Sequence, residues 1–162
     1  MEVRPGGILA YDLATSIGWA YGHCDSTSPT FGGLLLPKVG GEGAKFAAAE
    51  NEMAAHMELF RPRHVVAEAP MPLPALNNRT VALQLIGLRA IVCSEAYRAS
   101  AQFHEWDSYT VRLNVLGTGR FKAGAVKEAV TRWCWGRGWD VGTHDQADAC
   151  VLWEHARRNL RT

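Results

Sequence analysis

The sequence predicts an α/β domain in which a mixed sheet is covered by helices. Three strand-like segments follow one another near the start, and a very short turn joins the first two, so a hairpin is expected there. After residue 40, strand-like runs alternate with helical patterns, which implies parallel pairing further along. Two long segments repeat apolar residues at spacings of three and four, the signature of helices packed on one face.

Each element has its own reason. Ile8 to Asp12 is a short apolar run and reads as a buried strand. Ala14-Thr15-Ser16 is a small polar turn, and Ile17 to His23 reads as the second strand. Thr30 to Pro37 is the third, weakened by Gly32 and Gly33 and ended by Pro37. Gly40-Gly41-Glu42-Gly43 reads as a loop, then Ala44 to Phe60 as a helix. Phe46, Met53, Met57 and Phe60 fall near one face of it, as a core stripe does. Pro62 ends that helix, and His64 to Glu68 is a short buried strand. Pro70-Met71-Pro72-Leu73-Pro74 fits neither a helix interior nor a central strand, so a stiff loop follows Glu68.

Asn78 to Tyr97 is the second long helix, with Val81, Leu85, Leu88 and Val92 on one side. Gln102 to Trp106 reads as the fifth strand. Ser108 is placed to cap a helix reaching about Leu116, which Gly117-Thr118-Gly119 breaks. Lys122 to Gly136 reads as another helix. Thr143 opens the last, running towards Leu160, and Thr143-x-x-Gln146 matches a capping box. Asp145 then sits in the first turn, where the helix dipole favours negative charge. Neither a repeat nor a linker interrupts the pattern, so residues 1–162 are expected to form one domain.

Composition narrows the class. With 48% hydrophobic and 20% charged residues, the chain can bury an ordinary core. We find no apolar run of membrane-spanning length, and Met1 to Gly7 lack a signal-peptide pattern, so a soluble, cytoplasmic protein with no membrane partner is expected. Cys24, Cys93, Cys134 and Cys150 form no C-x-x-C pair and read as small apolar residues in a reduced compartment. Net charge is +1 but uneven. Residues 1–75 carry 5 Lys/Arg against 8 Asp/Glu, and residues 76–162 carry 12 against 8. The second half can therefore present a basic face to phosphates, although charge alone also fits solvated helix surfaces.

Four acids stand out. Asp12 and Glu68 end apolar strand-like runs, and Asp145 and Asp148 share a face of the last helix. Singly, each has a bland reading: a turn residue, a surface acid at a strand end, a helix N-terminal charge. Asp148 fits that least well, because Ala149, Val151 and Leu152 surround it in sequence. Acids beside apolar strands repel each other and resist burial, and divalent cations would offset that. If the elements meet at one sheet edge, the four acids have the chemistry to hold two Mg²⁺ ions about 4 Å apart for phosphodiester hydrolysis.

The same residues carry a resemblance. The segment Ile8-Leu9-Ala10-Tyr11-Asp12-Leu13-Ala14-Thr15-Ser16-Ile17-Gly18-Trp19-Ala20 resembles the opening of RuvC-type Holliday-junction resolvases. Val65-Val66-Ala67-Glu68 resembles their second acidic motif, and Asp145-Gln146-Ala147-Asp148-Ala149 their C-terminal D-x-x-D-A motif. Val111-Arg112-Leu113-Asn114-Val115-Leu116-Gly117-Thr118-Gly119 resembles the V-K-x-x-V-x-G-x-G segment between them, and Asn78-Arg79 a position in the helix after the Glu. Each motif is weak alone; the ordered set is fairly specific.

The resemblance implies a ribonuclease-H-like fold with a five-stranded mixed sheet, its first three strands antiparallel. It also implies a homodimer that makes paired nicks in four-way DNA junctions with Mg²⁺ or Mn²⁺. Asp12, Glu68, Asp145 and Asp148 match the metal-binding acids, and Arg112 stands at a DNA-contacting Lys position. Arg79, Arg120, Lys122 and Lys127 are further DNA-binding candidates; Lys122 lies one position off a family Lys. The dimer surface would be the helix Asn78 to Tyr97. The chain departs from the family after Glu68, where aromatics are replaced by the proline-rich segment. Met71 or Leu73 is the candidate there for a wedge between bases. His144, beside Asp145, reads as a supporting or exposed residue, and the other histidines as structural. The open alternatives are a related nuclease for other branched DNA or RNA–DNA hybrids, and a non-catalytic DNA-binding scaffold. A sugar-kinase or actin-like domain shares the opening strand–Asp–turn–strand, but needs a second domain that 162 residues do not accommodate.

Overall fold

The computed structural model describes residues 4–69 and 78–160. The proline-rich segment with Met71 and Leu73 lies outside the described residues. Strand β1 (Ile8–Leu13) turns through Ala14 and Thr15 into β2 (Ser16–Gly22), and β3 (Thr30–Leu35) adds antiparallel to β2. Helix α1 (Gly41–Phe60) leads to β4 (His64–Glu68), which lies parallel to β1. Helix α2 (Arg79–Arg98) leads to β5 (Gln102–Trp106), parallel to β4. The sheet order is β3-β2-β1-β4-β5. Three helices follow: α3 (Ser108–Leu116), α4 (Ala125–Gly136) and α5 (His144–Asn159).

Strand residues alternate between faces, so each face has its own core. Leu9, Tyr11 and Val65 pack with Met53, Met57 and Phe60 of α1 and Leu88 and Val92 of α2. Ile8, Ala10, Ala20 and Val66 pack with α3, α4 and α5. Asp12 and Glu68 keep the parity of Ile8, Ala10 and Val66, so both belong to the α5 face. They are also near neighbours, because Tyr11 pairs with Ala67 and the next step brings Asp12 beside Glu68.

Helix α5 lies across β1 and β2. It fits because the β2 residues on that face are Ser16, Gly18, Ala20 and Gly22, all small. A Cβ at Gly18 would stand 1.9 Å from the backbone carbonyl oxygen of Asp145, and one at Gly22 2.7 Å from the ring of Trp153. Trp153 Nε1 donates to the Gly22 carbonyl at 3.1 Å. At the far end of α5, the Glu154 carboxylate is 1% exposed and sits among three arginines. Arg157 donates to it, Arg158 Nη2 lies at 2.8 Å and Arg137 Nη2 at 3.9 Å. Arg158 also donates to the Asn114 carbonyl of α3 at 2.7 Å.

Four sequence expectations are corrected. Helix α1 begins at Gly41 rather than Ala44: the glycine-rich stretch contains no proline and winds into the first turn, where Glu42 favours the dipole. Helix α4 begins at Ala125 rather than Lys122, because Gly124 adopts a left-handed conformation (φ 78°) that ends the preceding turn. Ser108 does not cap α3; the Asp107 side chain does, accepting from Thr110 N–H. Finally, α2 is long and apolar enough to cross a membrane by length and composition, although it packs here against α1 and the sheet.

The close approach at Gly18 gives a testable outcome. Gly18→Ala pushes against backbone, not a flexible side chain, and is expected to lower stability by about 3 kcal/mol, the upper end for overpacking. Urea unfolding of both proteins measures it; an unchanged midpoint would mean that α5 does not press on β2.

Candidate active site

The acid pair on the sheet and the acid pair on α5 meet at one edge. Asp12, Glu68 and Asp148 line a cavity of about 20 Å³ together with Ser108, Val111, Arg112, Val151 and Leu152. That is room for about one water molecule or one small cation. Asp145 stands to the side, where its carboxylate accepts from the Ser16 hydroxyl. It remains close enough for its charge to act on both Asp12 and Asp148.

The local sequence explains each position. Asp12 pairs with Gly18 of β2, and the residue before it, Tyr11, pairs with Ala67 of β4. Thr143 caps α5 by accepting from Gln146 N–H, which fixes the turn carrying Asp145. The predicted capping box is only half formed: Gln146 Oε1 accepts from Gly142 N–H at 2.8 Å instead of from the cap residue. His144 is exposed, and its Nδ1 lies 3.0 Å from the Thr131 hydroxyl, which ties α4 to the start of α5.

The electrostatics follow from burial and crowding. Burial is the main cause raising the Asp12 pKa far above the usual carboxylate range, and the charges of Asp148, Glu68 and Asp145 add to it. Asp148 is pushed up to about 6, first by burial and then by Glu68, with Arg112 and Lys127 opposing. Glu68 is raised by burial too, but a hydrogen bond from Ser108 and the charge of Arg112 hold it back. Several carboxylates thus share a small, poorly hydrated space in which their charged forms are disfavoured.

This donor set suits a hard divalent cation: the ligand atoms are carboxylate oxygens, the side chains are half-buried, and their negative charge exceeds the nearby positive charge. Among the described residues, no three His, Cys, Asp or Glu side chains already form a cage for a metal ion. An ion would therefore have to draw the carboxylates inward.

Of the basic residues nominated by sequence, the fold brings two to the acids. Arg112 lines the cavity, and the charge of Lys127 acts on Asp12 and Asp148. Arg79 opens α2, and Arg120 and Lys122 lie between α3 and α4; all three are exposed. Sequence reasoning missed Ser16 and Ser108. Ser108 was read as a helix cap, but Asp107 takes that role and leaves the serine for Glu68.

No protein-family model and no curated protein sequence matches the chain. Solved structures do. Thermus thermophilus RuvC superposes with a TM-score of 0.71 at 14% identity, covering 93% of this chain and 95% of that one. The fold is that of RuvC. The same protein in complex with a Holliday junction substrate gives a TM-score of 0.75 at 14% identity, covering 94% of this chain and 95% of that one. The yeast mitochondrial Holliday junction resolvase Ydc2 gives 0.62 at 10% identity, covering 98% of this chain and 82% of that one. The RuvC fold is ribonuclease-H-like, and the five-stranded mixed sheet with three antiparallel strands agrees with the sequence expectation.

The acid cluster sets a pH dependence. The Asp148 pKa is raised in the folded state, so its contribution to stability is complete below the unfolded value near 4 and is lost as pH rises through about 6. Asp148→Asn should therefore raise the thermal midpoint of the ion-free protein at about pH 8 and change it little at about pH 4. Thermal unfolding in chelator at the two pH values tests this. A variant less stable at the higher pH would contradict it.

Proposed function

We propose that the protein is a divalent-metal-dependent endonuclease that resolves four-way DNA junctions by paired nicks. The observation that carries this reading is the meeting of Asp12, Glu68, Asp145 and Asp148 at one sheet edge of a RuvC fold. The RuvC structure solved with a Holliday junction substrate supports the choice of DNA.

Asp12, Glu68 and Asp148 would hold the ions, with Asp145 completing the set. Bound divalent cations, Mg²⁺ or Mn²⁺, supply a Lewis acid for the phosphate and lower the pKa of water. The protein's own groups do the rest. Asp12, whose charge is felt against all three other acids, would be a central ligand. Ser16 and Ser108 orient Asp145 and Glu68 through hydrogen bonds. Arg112 and Lys127 bind the phosphate nearest the acids, while Arg79, Arg120 and Lys122 contact more distant phosphates and make binding strongly salt-dependent.

Paired nicks need two sites. Helix α2 supports a homodimer, because Leu83, Ile86 and Tyr97 are exposed along it, Tyr97 at 86%. These fall at helical spacing and would give a second copy an apolar stripe to cover.

The test is a panel of labelled substrates: a four-way junction, a flap, a linear duplex and an RNA–DNA hybrid, each with Mg²⁺, Mn²⁺ or chelator. Paired nicks in the junction are expected, lost in chelator and reduced at least about a thousandfold in Asp12→Asn. Cleavage of the hybrid or flap instead would replace the substrate. Junction binding without cleavage would make the protein a scaffold. Because Asp148 must lose its proton to hold an ion, cleavage is also expected to weaken as pH falls below about 6 at limiting Mg²⁺, and excess Mg²⁺ should shift that loss to lower pH.

A further inference from the structure

Arg112 is the cation nearest the heart of the acid cluster, and its position has an unresolved feature. It lies on α3 and lines the same cavity as Asp12, Glu68 and Asp148. Its Nε is buried and has no hydrogen-bond partner. A buried guanidinium N–H without an acceptor is costly, and it marks a place prepared for one. The charge of Arg112 meanwhile favours the ionised forms of Glu68 and Asp148, which a divalent ion would also do.

Two cations next to the same carboxylates oppose each other. With no DNA present, Arg112 already neutralises part of the negative charge that would attract an ion. A cavity of about 20 Å³ leaves little space for water to screen the two. A phosphodiester changes the balance. Its oxygens accept from the guanidinium's N–H groups, and its negative charge cancels the guanidinium's effect on an incoming ion.

We propose that Arg112 couples ion loading to phosphodiester binding: it weakens ion binding to the DNA-free site and ceases to do so once a DNA phosphate takes its guanidinium. By linkage, ion and phosphate then raise each other's affinity by the same factor. The inference rests on reading the acid cluster as a divalent-ion site. It goes further by giving Arg112 a role before DNA arrives, opposite in sign to its role afterwards.

Calorimetric titration of Mn²⁺ into the DNA-free protein tests it, comparing wild type, Arg112→Gln and Arg112→Lys. Arg112→Gln is expected to bind Mn²⁺ about tenfold more tightly, the low end of what a neighbouring charge does to a carboxylate site. Arg112→Lys keeps the charge and should stay close to wild type, which separates charge from altered packing. A second readout is junction affinity by fluorescence anisotropy, with and without Ca²⁺. Wild type should gain affinity with the ion, and Arg112→Gln should gain much less. Mn²⁺ binding equal or weaker in Arg112→Gln, or an equal Ca²⁺ gain in both proteins, would overturn the proposal while leaving the ion site intact. Absence of Mn²⁺ binding in all three proteins would overturn the ion-site reading and this proposal together.

Discussion

Helix α5 can approach the sheet because one strand offers it no side chains to climb over. Ser16, Gly18, Ala20 and Gly22 form a smooth strip on β2, and the helix backbone rests on it at Gly18. The consequences spread from there. Every residue from Ala149 to Ala156 is buried, since sheet, α3 and α4 together enclose the helix. A helix enclosed on all sides must satisfy any polar group it carries. Glu154 does so with three arginines, whereas the His155 ring packs edge-on against Trp106 and its buried Nδ1 has no hydrogen-bond partner among the described residues. Removing one partner from such a buried charge costs about 3–5 kcal/mol, so the arginines are part of what keeps α5 seated.

Two periodicities then assemble the acids. The two-residue repeat of strands puts Asp12 and Glu68 on the α5 face, and parallel pairing of β1 with β4 puts them side by side. Asp145 and Asp148, three residues apart, project from one side of the opening of α5. Packing against Gly18 places that opening over the sheet edge. The outcome is a cluster the protein alone does not stabilise: burial and repulsion raise three of the carboxylate pKa values, while Ser16, Ser108, Arg112 and Lys127 offset only part of the cost. The rest of the fold carries the cost of that burial and repulsion.

Much of this was legible in the residues. Short apolar runs bounded by turns gave all five strands, because a buried strand has few other ways to appear in sequence. The acids were visible because a carboxylate at the end of an apolar run is chemically out of place. The helix starts were harder. Asp107 and Ser108 are both good caps, and adjacent side chains compete for the same N–H groups, so only geometry decides between them. Gly124 delays the start of α4 through a backbone angle that composition does not reveal. Ser16 was invisible as a partner of Asp145 because 129 residues separate them and the contact exists only after α5 has docked. The exposed stripe on α2 was hidden for a related reason, since Leu83 and Leu88 look alike in sequence but one faces out and the other in.

The chain order of the acids has a consequence for how the protein is made. Asp12 and Glu68 are in place early in synthesis, whereas Asp145 and Asp148 arrive with the last helix described. Ribosomes add about 5–20 residues per second, so several seconds separate the two halves of the site. During that interval the nascent chain has only half its carboxylates, and the α5 face of its strands is uncovered. A truncated product ending before residue 143 would therefore lack half the acid cluster and expose an apolar face of the sheet. Completion of one helix closes the core and finishes the site in a single event.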